Sequence, residues 1–180
     1  MFYIFFADGF EEVEAIATLD VIRRAKIEIK SVGTGSNVVT GSHGMKFICD
    51  LTDSDVLTEN NLQGVILPGG MPGTTNLMAN PVVNNFIDYC FKNNLFLCAI
   101  CAAPMILGKK GILNGRKAIC FPGFEDELLG AEISDNFVCR DGNIITAKGM
   151  GSAVNFGIEI VAAVIGRDAA DELKSILQCS

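Results

Sequence analysis

The chain has 180 residues, 49% of them hydrophobic and 19% charged, which is the make-up of a packed globular protein large enough to bury a full core as one domain, not of a disordered one. Its formal net charge of −7 leaves no basic stripe to neutralise phosphates, which excludes a nucleic-acid-binding surface. Seven irregularly spaced cysteines in a chain too large to need staples point to free thiols in a reducing compartment, and no apolar stretch approaches the ~18 residues of a membrane span.

In chain order, "FYIFF" (residues 2–6) reads as a buried strand. Asp8 ends it and no positive segment precedes it, so a signal peptide is not expected and the cytoplasm is the expected location. "EEVEAIATLDVIRRA" (11–25) reads as a helix with Val13, Ile16, Ala17 and Val21 on one apolar face. "IEIKSVGTG" (27–35) is a second strand closed by glycines, and "GVILPGG" (64–70) a strand ending in a glycine turn. "NPVVNNFIDYCFKNN" (80–94) predicts a helix with Pro81 in its first turn. "LFLCAI" (95–100) is a strand, and "AAPMILGKKG" (102–111) a helix closed by Gly111. "KAICF" (117–121) is a strand, and "NFVCRDGNIITA" (136–147) a hairpin turning at Asp141-Gly142. Two helices, "GSAVNFGIEIVAAVIG" (151–166) and "DAADELKSILQ" (168–178), follow.

Strands alternating with helices predict an α/β sandwich, a mostly parallel sheet covered on both faces. Ligands in such folds bind beyond the carboxyl ends of the strands. That singles out the turns at 7–14, 68–75 and 101–104.

Cys98 and Cys101 look like a Cys-x-x-Cys pair, but in a strand their Cα atoms stand roughly 10 Å apart, beyond the ~7 Å a disulfide allows. A redox pair would need a helix there, and no helix-start signal precedes Cys98. Cys98 therefore reads as a core thiol. Cys101 falls where strand becomes helix, with small Ala99, Ala102 and Ala103 around it, as in a nucleophile elbow. A helix start would lower its pKa. Pattern alone leaves open whether it is this or one more buried thiol.

Gly69 and Gly70 in "LPGGMPGTTNL" (67–77) offer backbone amides, and the Gly70 and Ala102 N–H groups could pair as an oxyanion hole. The stretch is not a P-loop, because the Gly-Lys-Ser/Thr ending is absent. Glu11, Glu12 and Glu14 occupy the first turn of the first helix. Glu11 and Glu12 read as complements of the helix dipole. Glu14 could do the same, or turn inward over the strand ends as a protonated carboxyl donating to sulfur. His43, the single histidine, sits between glycines as a turn or rim residue, with no partners for a metal site.

Five blocks carry a resemblance: "DGFEEVEA…LDVIRRA" (8–25), "VILPGGMPGTTNL" (65–77), "AICAAP" (99–104), "CFPGFEDEL" (120–128) and "TAKGMGSAVNFGIEIV" (146–161). In this order they make the chain look like a member of the ThiJ/PfpI family, also called the DJ-one/PfpI family, in the glutamine-amidotransferase-like superfamily. The resemblance implies a flavodoxin-like α/β sandwich and a homodimer. It places the family's oxidisable elbow cysteine on Cys101, its protonated glutamate on Glu14, and the glycine-turn and post-cysteine amides on Gly70 and Ala102. It also implies cofactor-free, metal-free chemistry on small reactive carbonyls or glycated groups. The alternative is a redox sensor or chaperone-like protein using the same cysteine.

Many members carry a histidine beside the nucleophile. Here the position is Phe121, which argues against peptidase chemistry. His43 lies where relatives often have arginine, and both the site rim and the dimer edge are open to it. Asp20 with Arg23 or Arg24 is a candidate ion pair, buried or interfacial.

Overall fold

Phe2–Phe6 form β1, every residue of it buried, because neighbouring strands pair with both its edges and helices cover both faces. The other elements of this computed structural model, which describes residues 1–58 and 61–179, follow in chain order. They are α1 (Glu12–Arg24), β2 (Ile29–Gly33), β3 (Val38–Thr40), β4 (Lys46–Ile48), β5 (Leu51–Thr52), β6 (Gly64–Leu67), α2 (Gly73–Ala79), α3 (Pro81–Lys92) and β7 (Phe96–Ile100). Then come α4 (Pro104–Lys109), β8 (Lys117–Ala118), β9 (Glu132–Ile133), β10 (Val138–Asp141), β11 (Ile144–Ala147), α5 (Ala153–Ile165) and α6 (Arg167–Ile176).

Seven strands form one sheet in the order β10-β11-β7-β6-β1-β2-β5. Every pairing is parallel except the β10–β11 hairpin, so the architecture is the flavodoxin-like α/β sandwich expected. Alternation along β1 divides the core. Phe2, Ile4 and Phe6 pack with Leu19 and Ile22 of α1 and Phe156 and Ile160 of α5, whereas Tyr3 and Phe5 pack with Phe86 and Ile87 of α3 and Ile106 of α4. α3 begins as its sequence predicts, with Asn80 accepting from the Val82 and Val83 amides and Pro81 in the first turn.

Three elements differ from the sequence reading. α1 buries Ala15, Thr18, Leu19, Val21 and Ile22, while Val13 and Ile16 are exposed; of the predicted apolar face only Val21 is buried. The strand expected over 117–121 stops at Ala118. The helix expected from Ala102 starts at Pro104, after a turn at residues 101–103. The β3–β4 hairpin and α2 carry too few periodic positions to have been read from sequence.

Candidate active site

The strands β7, β6 and β1 lie side by side in the sheet, so the turns that follow them meet in space. Cys101 follows the last residue of β7 with φ +65°, a left-handed conformation rare for a residue with a side chain. Backbone hydrogen bonds hold it there: the Cys101 N–H donates to the Ala147 carbonyl at 2.9 Å, and its own carbonyl accepts from the Phe121 N–H at 2.8 Å. The thiol is partly exposed, whereas Cys98 is fully buried in the core and pushed up in pKa chiefly by that burial.

Glu14 comes from the first turn of α1. The N-cap residue Glu11 accepts from the Glu14 N–H at 2.6 Å, and the Glu11 N–H donates to the Gly69 carbonyl at 2.9 Å, tying the helix start to the glycine turn. This docking turns the Glu14 side chain inward, where it is buried. Its Oε2 accepts from the Gly69 N–H at 3.0 Å, and its carboxyl bonds the Met150 amide and the Cys101 thiol. A Cβ on Gly69 would lie 2.5 Å from both Cys101 Cβ and Glu14 Oε2. Gly70 combines φ +89° with a Cβ position only 2.4 Å from the Glu11 nitrogen, so that turn admits no side chain.

The structure therefore brings Cys101, Glu14, Gly69, Gly70 and Ala102 together. The Gly69 amide is committed to Glu14, while the Gly70 and Ala102 amides point at the sulfur. Met150 and Gly149, in the loop after β11, complete the surround. Sequence reasoning did not assign them to the site. The signal available was a glycine-rich turn after a strand, but only the sheet order shows that β11 neighbours β7.

Burial pushes the Glu14 carboxyl up to about 7, with the Glu11 charge adding and the hydrogen bonds from Cys101, Gly69 and Met150 opposing. Burial also pushes the Cys101 thiol up to about 12, helped by the charge and hydrogen bond of Glu14 and opposed by the Ala102 and Gly70 amides. The depressed thiol pKa expected from a helix start is corrected. α4 begins three residues later and is only 6 residues long, and burial beside a carboxylate outweighs it. Hydrogen-bonded to each other, the two groups titrate as a pair, which holds two protons below about 7 and one between about 7 and about 12.

Glu12 does sit in the first turn of α1, as its sequence reading has it, but it is also a buried carboxylate. It accepts from the His43 N–H at 2.8 Å, and its Oε2 bonds His43 Nδ1 at 2.9 Å. Burial works to raise its pKa, but the His43 hydrogen bonds hold it down at about 2. His43 itself is exposed and raised in pKa by the same bond. Glu11, Glu12 and His43 are spaced so that they could hold a cation, yet Glu11 serves as a cap and Glu12 as the acceptor for His43, so nothing there calls for one. Arg24 pairs with Asp20 at 2.6 Å with both side chains exposed, and Arg23 instead reaches Asp50 at 2.6 Å.

The model of the DJ-1/PfpI family matches residues 2–163. Among curated relatives, protein DJ-1 homolog A of Arabidopsis thaliana is 33% identical over 95% of this chain, which spans 44% of that protein. The chain thus spans less than half of this plant relative. The glutathione-independent glyoxalase DJR-1.2 of Caenorhabditis elegans is 30% identical over 91% of this chain and 87% of its own length. Among solved structures, the C103A mutant of the DJ-1 superfamily protein STM1931 from Salmonella typhimurium superposes with a TM-score of 0.93 at 30% identity, covering 99% of this chain and 98% of its own.

Proposed function

This chain belongs to the DJ-1/PfpI family, and we propose that it is a cofactor-free enzyme in which Cys101 and Glu14 convert small α-oxoaldehydes to 2-hydroxy acids. The observation that carries this reading is the hydrogen-bonded Glu14–Cys101 pair, set under the Gly70 and Ala102 amides. The name glutathione-independent glyoxalase given to one relative supports it. In the singly protonated pair, the Glu14 carboxylate takes the thiol proton as the sulfur adds to the aldehyde carbon and passes it to the carbonyl oxygen, giving a hemithioacetal. The Gly70 and Ala102 amides face the charge that develops on that oxygen.

The Glu14 carboxylate then takes the C–H proton from the same carbon and returns it to the neighbouring carbonyl carbon. The hydroxyl proton moves from the first oxygen to the second. The electron pair shifts within the substrate, so no outside oxidant is needed, and the product is a thioester of a 2-hydroxy acid. Water cleaves it, releasing the acid and regenerating the thiol. The test is methylglyoxal consumption with lactate appearing. Cys101→Ser is expected to abolish turnover and Glu14→Gln to lower kcat/KM by about 10²–10⁴-fold, whereas unchanged turnover in Cys101→Ser overturns the assignment.

The partial exposure of Cys101, which it shares with Cys179 while the other five cysteines are buried, favours one second reading, a redox sensor whose thiol oxidises to sulfenic and sulfinic acid. Site-selective peroxide oxidation of Cys101 without carbonyl turnover would establish it. The reading also includes a homodimer, supported by the exposed apolar group of Val13, Ile16 and Met45. A second copy covering this patch would remove it from water.

A further inference from the structure

Beside the elbow lies a groove of about 350 Å³ whose walls include Phe121, Pro122, Phe137, Lys148, Gly149 and Met150. It joins the reacting centre through shared backbone. The Phe121 N–H holds the Cys101 carbonyl at 2.8 Å, and the Met150 amide holds the Glu14 carboxyl. A Cβ on Gly149 would stand 3.2 Å from the Phe121 ring and 3.9 Å from Glu14 Oε1. The glycine thus lets the Phe121 ring approach the Glu14 carboxyl.

Three large apolar side chains meet here and are left facing solvent: Phe121 is 48% exposed, Phe137 68% and Met150 54%. The Lys148 ammonium lies 5.4 Å from the centre of the Phe137 ring and steadies it. The groove is at the small end of ligand pockets, ~300–1,000 Å³, which suits one ring and not a folded partner. A flat aromatic group would stack on or edge against Phe121 and Phe137 and cover the apolar surface that a methyl group leaves wet.

We propose that this groove is the substituent subsite of the Cys101 centre, and that it selects carbonyl compounds bearing a flat aromatic group over those bearing a small aliphatic one. The proposal rests on the carbonyl chemistry above and names its substrate class. Phe121, which stands where a base would otherwise be found, is on this account a specificity residue.

The test compares phenylglyoxal with methylglyoxal on the full-length protein. The wild type should favour phenylglyoxal by about 10–100-fold in kcat/KM. Phe121→Ala and Phe137→Ala should each shrink that ratio several-fold, mainly through the KM for phenylglyoxal, and Phe121→Leu, which keeps apolar bulk, should retain part of it. A ratio near one in the wild type, or one that neither alanine variant changes, overturns the subsite. A readout independent of turnover is titration of the Cys101→Ala protein with unreactive acetophenone, followed by NMR. Shifts confined to Phe121, Gly149, Met150 and their neighbours support the groove, and their absence overturns it. Acetophenone binding there without turnover of either aldehyde would leave the subsite standing and defeat the carbonyl chemistry. Turnover of both aldehydes without preference or acetophenone binding would do the reverse.

Discussion

Glu14 and Cys101 share protons, so the reactivity of the sulfur follows the carboxyl. Above about 7, where Glu14 has lost its proton, its carboxylate can accept the thiol proton as the sulfur attacks, with the Gly70 and Ala102 amides facing the developing thiolate. The rate of Cys101 alkylation by iodoacetamide is therefore expected to rise with a midpoint near 7. In Glu14→Gln the proton acceptor is gone and burial governs the thiol alone, so the midpoint should move above the ordinary ~8.5. An unmoved midpoint would show that the pair is not coupled. The same carboxyl affects stability. Its folded pKa lies above its unfolded value of 4.5, so its contribution is intact below 4.5 and is lost as pH rises through about 7. That loss is on the order of 3 kcal/mol, and urea melts across this window should show it shrinking in Glu14→Gln. Glu12 has the opposite sign. Held at about 2, it stabilises above 4.5, and its contribution fades as pH falls toward 2. The acidic triplet was legible in the sequence as a helix start. Glu14 was legible as the one that could turn inward, but the burial of Glu12 was not, because that depends on where the segment carrying His43 docks against the helix start.

At the scale of elements, α1 shows how periodicity misleads. Val13, Ile16 and Ala17 repeat at helical spacing, yet the face that meets the sheet and α5 is the one carrying Ala15, Leu19 and Ile22. Both faces are apolar enough to qualify, and packing decides between them. At the α1–α5 crossing, a Cβ on Gly157 would come 2.9 Å from Cβ and Cγ1 of Val21, a branched side chain with little rotamer freedom. Gly157→Ala is accordingly expected to cost about 1–3 kcal/mol in urea unfolding, although alanine is the better helix former by ~1 kcal/mol. Adding Val21→Ala should cost less in that background than in the wild type, and strict additivity would argue against the clash. The elbow was legible at this scale because strand, small residues and Pro104 follow one another in sequence. Its positive φ and the hydrogen bonds from segments 20 and 46 positions away (121 − 101 and 147 − 101) were not.

At the scale of the whole molecule, no helix among the described residues is long and apolar enough to cross a membrane. The exposed Val13, Ile16 and Met45 lie on one surface, with Glu12 and Asp20 at its border. If a second copy covers it, light scattering should give twice the chain mass of 19.2 kDa, and Ile16→Asp, which places a charge on the patch, should yield monomers with unchanged helical content. A wild type that runs as a monomer would rule this association out. The sequence by itself determined the α/β alternation, the parallel sheet with its final hairpin, the burial of Cys98 and the place of Cys101 where strand gives way to helix, because these follow from local periodicity, strand geometry and turn chemistry. The tertiary structure alone decided which face of α1 is buried, that Glu12 binds His43, and that the β11 loop joins the site. It also decided that the Cys101 thiol titrates high beside Glu14. Burial and electrostatics depend on what lies nearby in space, and the residues that set them here come from a helix start and from turns that follow strands whose adjacency the chain order does not reveal.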